Sequence, residues 1–316
     1  MKSLDFRVIL AFFAIYVVWG STYLAIRIAV ETIPPLATAG IRHLCAGAIL
    51  FVAARGFAVR ITAAEWRASV VVAVLFFLIG HGTLHWAEQI VPSGVAALLV
   101  ATEPIWIAML MPADRAQRWS GRMLGGLAAG LIGVGLLAPG AAFTGDSAQL
   151  WGSGAILLGA LSWALGVRYS STARLPSDPF VRAATTLLCG AALLLTASAL
   201  SGELGRVDVR AISGRSLLGL GYLVLFGSVV AFSAYTWLLE RSSATLVATH
   251  TYVNPAVAVL LGWLFAGEAL TLRVVAATIA ILVAVLLLRA ETRPSAAQGG
   301  AVGRQDEAPA ARSRES

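Results

Sequence analysis

The chain has 316 residues, of which 59% are hydrophobic and only 12% charged, and its net charge is +7. A soluble domain carries roughly 45–50% apolar and about 25% charged residues, so burial in a water-soluble core cannot hide this much apolar surface. The arginines fall between apolar runs and in the tail rather than in one basic stripe, which excludes a nucleic-acid surface and leaves loop charge.

Apolar runs of roughly 18 or more residues recur, each long enough to cross a hydrocarbon core about 30 Å thick. They do not alternate in polarity, which excludes a β-barrel. The sequence therefore predicts an all-α membrane protein with ten transmembrane helices, at 8–28, 36–54, 68–88, 94–112, 122–138, 151–169, 180–200, 216–239, 244–266 and 272–289. The opening MKSLDFRVILAFFAIYVVWG has too long an apolar run for a signal peptide and no clean cleavage site, so it is read as the first span. Pro34-Pro35, Pro92-Ser93 and the LPSDP stretch at 175–179 punctuate turns. Cys45 and Cys189 lie inside spans and are read as packing residues with free thiols. Residues 1–7 form a cytoplasmic N-terminus, 140–150 a connecting loop, and 290–316 a polar tail expected to be disordered and cytoplasmic.

Orientation follows from lysine and arginine placement. With the N-terminus inside, 17 of the 23 basic residues fall on cytoplasmic segments; the exceptions are Arg27, Arg42, Arg206, Arg210, Arg215 and Arg273. Both termini are therefore expected in the cytoplasm.

The text also repeats. A shift of 144 places Trp19 on Trp163, Leu44 on Leu188 and Cys45 on Cys189. A shift of 151 places Trp86 on Trp237, Ala97 on Ala248, Pro104 on Pro255 and Arg122 on Arg273, with Leu131, Val134, Leu136 and Leu137 matching the residues at 282, 285, 287 and 288. Five spans per half is an odd number, so the second half must enter the membrane from the opposite side. The expected plan is a 5+5 inverted-topology repeat, 8–139 and 151–289, with the substrate site near mid-membrane between the halves.

The stretch WGSTYLAIRIAVETIPPLATAGIRHLCAGAILF at 19–51 resembles the opening of EamA-type members of the drug/metabolite transporter superfamily. The stretches SGVAALLVATEPIWIAML (93–110) and SATLVATHTYVNPAVAVLLGWLFAGEAL (243–270) resemble their fourth and ninth helices. The resemblance covers about 8–289 and implies a ten-helix, inner-membrane 5+5 repeat that exports amino acids, other metabolites or drugs. One departure is that GEAL at 267–270 has Gln117 at the matching place in the first half.

Polar residues inside spans mark candidate sites, because a central charge costs about 2.5–3.5 kcal/mol on insertion scales. Glu103-Pro104 in helix four and Asn254-Pro255 in helix nine are read as paired helix breaks framing a substrate cavity, with packing kinks as the alternative. Arg42 and His43 come roughly 9 Å from the outer end of helix two, and Glu103 about 14 Å from that same side, at 1.5 Å per residue. Arg42 is expected either to approach Glu103 across the cavity or to snorkel to the headgroups. His81, His85 and Glu88 share one helical face, which suits a proton relay, a metal site or a wet stripe; position 82 is glycine, so this is not an HExxH zinc motif. The glycines of GGLAAGLIGVG (125–135) lack nucleotide-loop spacing, and Gly126-x-x-x-Gly130 is read as a close helix contact, within the monomer or at a homodimer face. The aromatic residues Trp86, Trp106, Trp163, Tyr235, Trp237 and Tyr252 are candidates for stacking on substrate, against interfacial or packing roles.

These readings converge on a secondary active transporter, not an enzyme, working by alternating access on small metabolites or drugs. Its candidate substrate-binding residues are Arg42, Glu103, Trp106, His250, Tyr252 and Asn254; its proton-coupling residues are Glu103, His81 and His85; its helix breaks are Pro104 and Pro255. Protons are the expected coupling ion, and no cofactor or metal is indicated. Apart from substrate and protons, the expected partners are membrane lipid and a second copy of the chain, and no nucleic acid. The alternatives are a membrane-embedded lipid-modifying enzyme, a lipid flippase or a receptor that does not transport.

Overall fold

A computed structural model describes residues 5–91, 93–110, 120–137, 147–257 and 272–291. The tail from 292, the stretch 138–146, the end of predicted helix nine and GEAL at 267–270 lie outside the described residues. Among the described residues every regular element is helical. In chain order they are α1 (Phe6–Ala29), α2 (Pro35–Ala53), α3 (Ala63–Ala87), α4 (Ser93–Val100), α5 (Glu103–Leu110), α6 (Gly121–Leu137), α7 (Ser147–Ser170), α8 (Pro179–Leu200), α9 (Gly214–Leu239), α10 (Ala244–Ala248), α11 (250–257) and α12 (Leu272–Glu291). Six of them, α1, α2, α3, α7, α8 and α9, are long and apolar enough to cross a membrane. The first helix after the connecting stretch starts at Ser147, inside the loop expected at 140–150.

Local chemistry sets the helix starts. Thr62 and Glu65 form a reciprocal capping box at α3, and Asp178 caps α8 ahead of Pro179 at its first position. At α2 the cap position is Pro34, which offers no side-chain acceptor. Glu203, from the loop after α8, supplies it by accepting from the Leu36 N–H at 2.9 Å. That contact ties the start of α2 to the end of α8.

The two helices cross antiparallel along their length. Gly40 lies against Leu195 and Gly47 against Leu188, so seven residues forward on one helix are seven back on the other. A Cβ at Gly47 would sit 2.9 Å from Leu188 Cγ and 3.0 Å from its backbone nitrogen. The same pattern joins α6 and α12, where Gly126 meets Leu288 and Gly133 meets Ile281. Lipid tails are as apolar as leucine, so such helices gain from close van der Waals contact, which glycine allows. Gly126 and Gly130 thus make close contacts inside the monomer, Gly130 against the Tyr252 ring.

The largest apolar cluster draws on α1, α2, α3, α7, α8 and α9 around Trp19, Phe76, Trp163 and Tyr235. A second cluster joins α6, α11 and α12 through Met123, Leu127, Tyr252 and Ile281. Outward positions stay apolar as well, with Trp151 76% and Leu218 78% exposed, as lipid contact requires.

Predicted helix four is two helices. The break is a turn at Ala101-Thr102, and Pro104 is the second residue of α5, where its missing N–H has no helical partner to lose. In predicted helix nine the interruption is a turn at Thr249, and Pro255 lies inside α11, six residues further on. The first break therefore lies just before its proline and the second six residues before, and they do not share one repeat register.

Candidate functional site

Two helices contain a wide-turn π segment, Val74–His81 in α3 and Leu223–Val230 in α9. Their starts differ by 149 residues, within two of the repeat shift of 151. A π segment takes backbone carbonyls out of α-helical register and is often found at functional sites. Here other helices use those carbonyls. The Ser162 hydroxyl of α7 donates to the Leu75 carbonyl at 2.8 Å, and the Trp19 indole of α1 donates to the Gly227 carbonyl at 2.9 Å.

Beside the end of the α3 segment, at Gly80 and His81, lies a cavity of about 80 Å3, several times the space that one water needs. Its walls include Trp19, Arg42, His81, Glu103, Trp163 and Asn254, so both halves of the chain contribute. Arg42 is only 2% exposed, which rules out snorkelling. Its Nε donates to the Ser228 hydroxyl at 2.7 Å, and its guanidinium lies against Gly227, where a Cβ would come within 3.0 Å of Nη2. Glu103 is 3% exposed, and its Oε1 has no hydrogen-bond partner. Arg42 and Glu103 share the cavity wall but form no ion pair; the ion pairs among the described residues are Arg182–Glu240, Arg241–Glu240 and Arg215–Glu31. The expected approach of Arg42 to Glu103 is therefore replaced by a contact with helix α9.

The histidines split. His81 lines the cavity and shares a 3.0 Å hydrogen bond with His43 of α2. The Nδ1–H of His85 donates to the His81 carbonyl at 2.8 Å, which leaves its buried Nε2 without a partner. His85 and Glu88 are buried but are not cavity-lining, so the face they share with His81 is not one wet stripe. Among the described residues no group of three or more His, Cys, Asp or Glu is placed to hold a metal ion.

His250 lines the cavity, and its Nδ1–H donates to the Val247 carbonyl at 2.9 Å. Asn254 lines it with an unpartnered Oδ1. Two other candidates turn elsewhere. Tyr252 packs against Gly130 of α6, because that glycine leaves room for its ring, and its hydroxyl is unpartnered. The Trp106 indole donates to Thr102 at 3.2 Å and packs on the large apolar cluster.

Sequence reasoning missed Ser228 and Gly227, which contact Arg42, and Tyr23, which lines the cavity. An isolated serine or glycine in an apolar span carries no signal, but the repeated π segment places the first two beside the arginine. An aromatic layer underlies the cavity. Trp163 stacks on Phe76 with centroids 4.2 Å apart, and its indole donates to the Tyr235 hydroxyl at 2.8 Å. Trp19, the repeat mate of Trp163, leans on Tyr235 at 5.0 Å.

Comparison with known proteins gives a consistent picture. The family model described as EamA-like transporter family matches residues 6–138 and again 150–290. The chain is 39% identical over 268 residues to the "Uncharacterized inner membrane transporter YedA" of Escherichia coli K12, covering 83% of each protein. It is 26% identical to a "Probable amino-acid metabolite efflux pump" of the same organism, covering 81% of this chain and 86% of that one. A solved crystal structure superposes with a TM-score of 0.74 at 20% identity, covering 92% of this chain and 98% of the other, and bears on the fold alone.

Proposed function

The chain belongs to the EamA-like transporter family, and from that premise we propose that it is a secondary transporter moving small metabolites or drugs outward by alternating access. It is a multi-pass protein of the inner membrane, the location carried in the name of its 39% identical relative. The proposal includes ten spans, arranged as two five-helix repeats of opposite orientation with both termini in the cytoplasm. The antiparallel crossings support it: α2 and α8 are repeat mates, as are α6 and α12, and each pair runs in opposite directions. Mates that oppose one another are what an axis in the membrane plane generates.

The observation that carries the reading is the buried cavity between the halves, walled by a fixed cation, Arg42, and an unpartnered carboxyl, Glu103. Arg42 would receive a substrate carboxylate. Glu103 would take and release the coupling proton, with Asn254 and His81 on the same cavity wall. A lipid-modifying enzyme needs a reactive cluster at one interface, whereas these groups are dispersed over several helices in the interior.

The test is proteoliposome flux of amino acids and cationic drugs with and without a pH gradient. Glu103→Gln is expected to abolish the dependence on the gradient. Proton-driven flux that survives the change intact removes Glu103 from the coupling role.

A further inference from the structure

A second cavity, of about 590 Å3, lies on the other side of the aromatic layer. On α3 it takes Val72 and Phe76 where the first takes Gly80 and His81; on α7 it takes Val167 and Ser170 where the first takes Ile156 and Trp163. The stacked Phe76–Trp163 pair separates the two. This volume falls in the range of about 300–1,000 Å3 typical of small-molecule sites.

The lining combines three chemistries. Arg182 Nη1 and Glu240 Oε1 meet at 2.7 Å across the wall, joining the start of α8 to the end of α9. Arg182 is held in place by its Nε, which donates to the Pro176 carbonyl at 2.9 Å. Arg241, seated 4.1 Å over the Trp237 ring, also reaches Glu240, at 3.1 Å. Deeper in, Phe76, Phe232 and Val72 present an apolar surface, with the Thr186 and Thr236 hydroxyls beside it.

An ion pair that walls a cavity selects its guest. A free carboxylate takes Arg182 and leaves Glu240 to Arg241 alone, and a free amine takes Glu240 and leaves the half-buried Arg182 without a carboxylate. A solute carrying both charges replaces each partner at once. We propose that this cavity is a staging site for a zwitterionic amino acid with an apolar side chain, with its carboxylate on Arg182, its ammonium on Glu240 and its side chain against Phe76 and Phe232. Positive-inside placement puts this end in the cytoplasm, where an exporter collects its cargo. The inference rests on the transporter reading and adds to it a second site and a class of substrate.

Equilibrium binding of radiolabelled phenylalanine to the purified full-length protein in detergent tests it, with phenethylamine and 3-phenylpropanoate as competitors. Phenylalanine is expected to bind, and each competitor to be at least tenfold weaker. Glu240→Gln is expected to weaken binding at least tenfold. Ser171→Trp fills the cavity from an exposed wall position and should remove this site without touching the ion pair. Leu218→Ala on the lipid face should change nothing. The proposal is overturned if wild-type protein binds no phenylalanine, if either competitor matches it, or if both Glu240→Gln and Ser171→Trp bind as wild type does. Binding without flux in proteoliposomes keeps this site and removes the transporter reading; flux that both variants leave unchanged does the reverse.

Discussion

Replacing Ser228 with alanine isolates what holds Arg42 in place. The 2.7 Å bond from Arg42 Nε is lost, and in a site 2% exposed to solvent the guanidinium is left with a donor unsatisfied. Hydrogen bonds to charged groups contribute about 1.5–3 kcal/mol. At about 1.4 kcal/mol per tenfold, this corresponds to roughly a 10- to 100-fold change if the whole effect falls on substrate binding. Proteoliposome flux should show KM raised by that factor for solutes bearing a carboxylate, and by no more than about twofold for cationic ones. Ser228→Thr keeps the hydroxyl and should restore most of the affinity. Thermal unfolding of the purified variants separates a positional effect from a general loss of stability. If Ser228→Ala leaves KM unchanged while Arg42→Gln raises it, Ser228 does not position the arginine. Equal losses for anionic and cationic solutes would mean that Arg42 is not the anion contact.

Gly47→Ala pushes a methyl group against the Leu188 backbone nitrogen, which cannot move aside as a side chain tip can. Overpacking of this kind costs about 1–3 kcal/mol, read as a lowered unfolding temperature in detergent, and Leu188→Ala should rescue only part of it. The double exchange Arg42→Glu with Glu103→Arg should restore no more transport than either single change, since the two do not pair; recovery of flux would show that they do. Tyr235→Phe orphans the Trp163 indole and should destabilise by about 1–3 kcal/mol. Adding Trp163→Phe should cost less than the sum of the two, because both partners are then gone.

Much of the architecture is written in the text of the chain. The apolar runs announce helices, and the recurrence of Trp19 at Trp163 marks two tryptophans that meet the same tyrosine. Arg42, Glu103, His250 and Asn254 were identifiable as buried polar residues, and they share one cavity. Their partners were not identifiable, because pairing depends on how helices far apart in sequence cross. Arg42 is 186 residues from Ser228, and the order of polar residues in spans gives no such distance. Proline placement locates the interruption in predicted helix four only to within a few residues. Pro104 fits the first turn of a helix, so the chain breaks just before it, at Ala101-Thr102. The second cavity was invisible because Phe76 and Phe232 read as ordinary span residues.

The wide turns in α3 and α9 bear on how these helices can move. Each turn holds more than the 3.6 residues of an α-turn, so the portion beyond it is aimed differently from the portion before it. Deleting one residue from either stretch would swing everything beyond it through about 100°, carrying His81 in α3 off its present bearing while the near portion stayed seated. The wide turn thus sets the bearing of one end of each rod apart from that of the other. The alternating access proposed above requires one end to open while the other is shut, and a rod whose two ends are aimed separately suits that requirement.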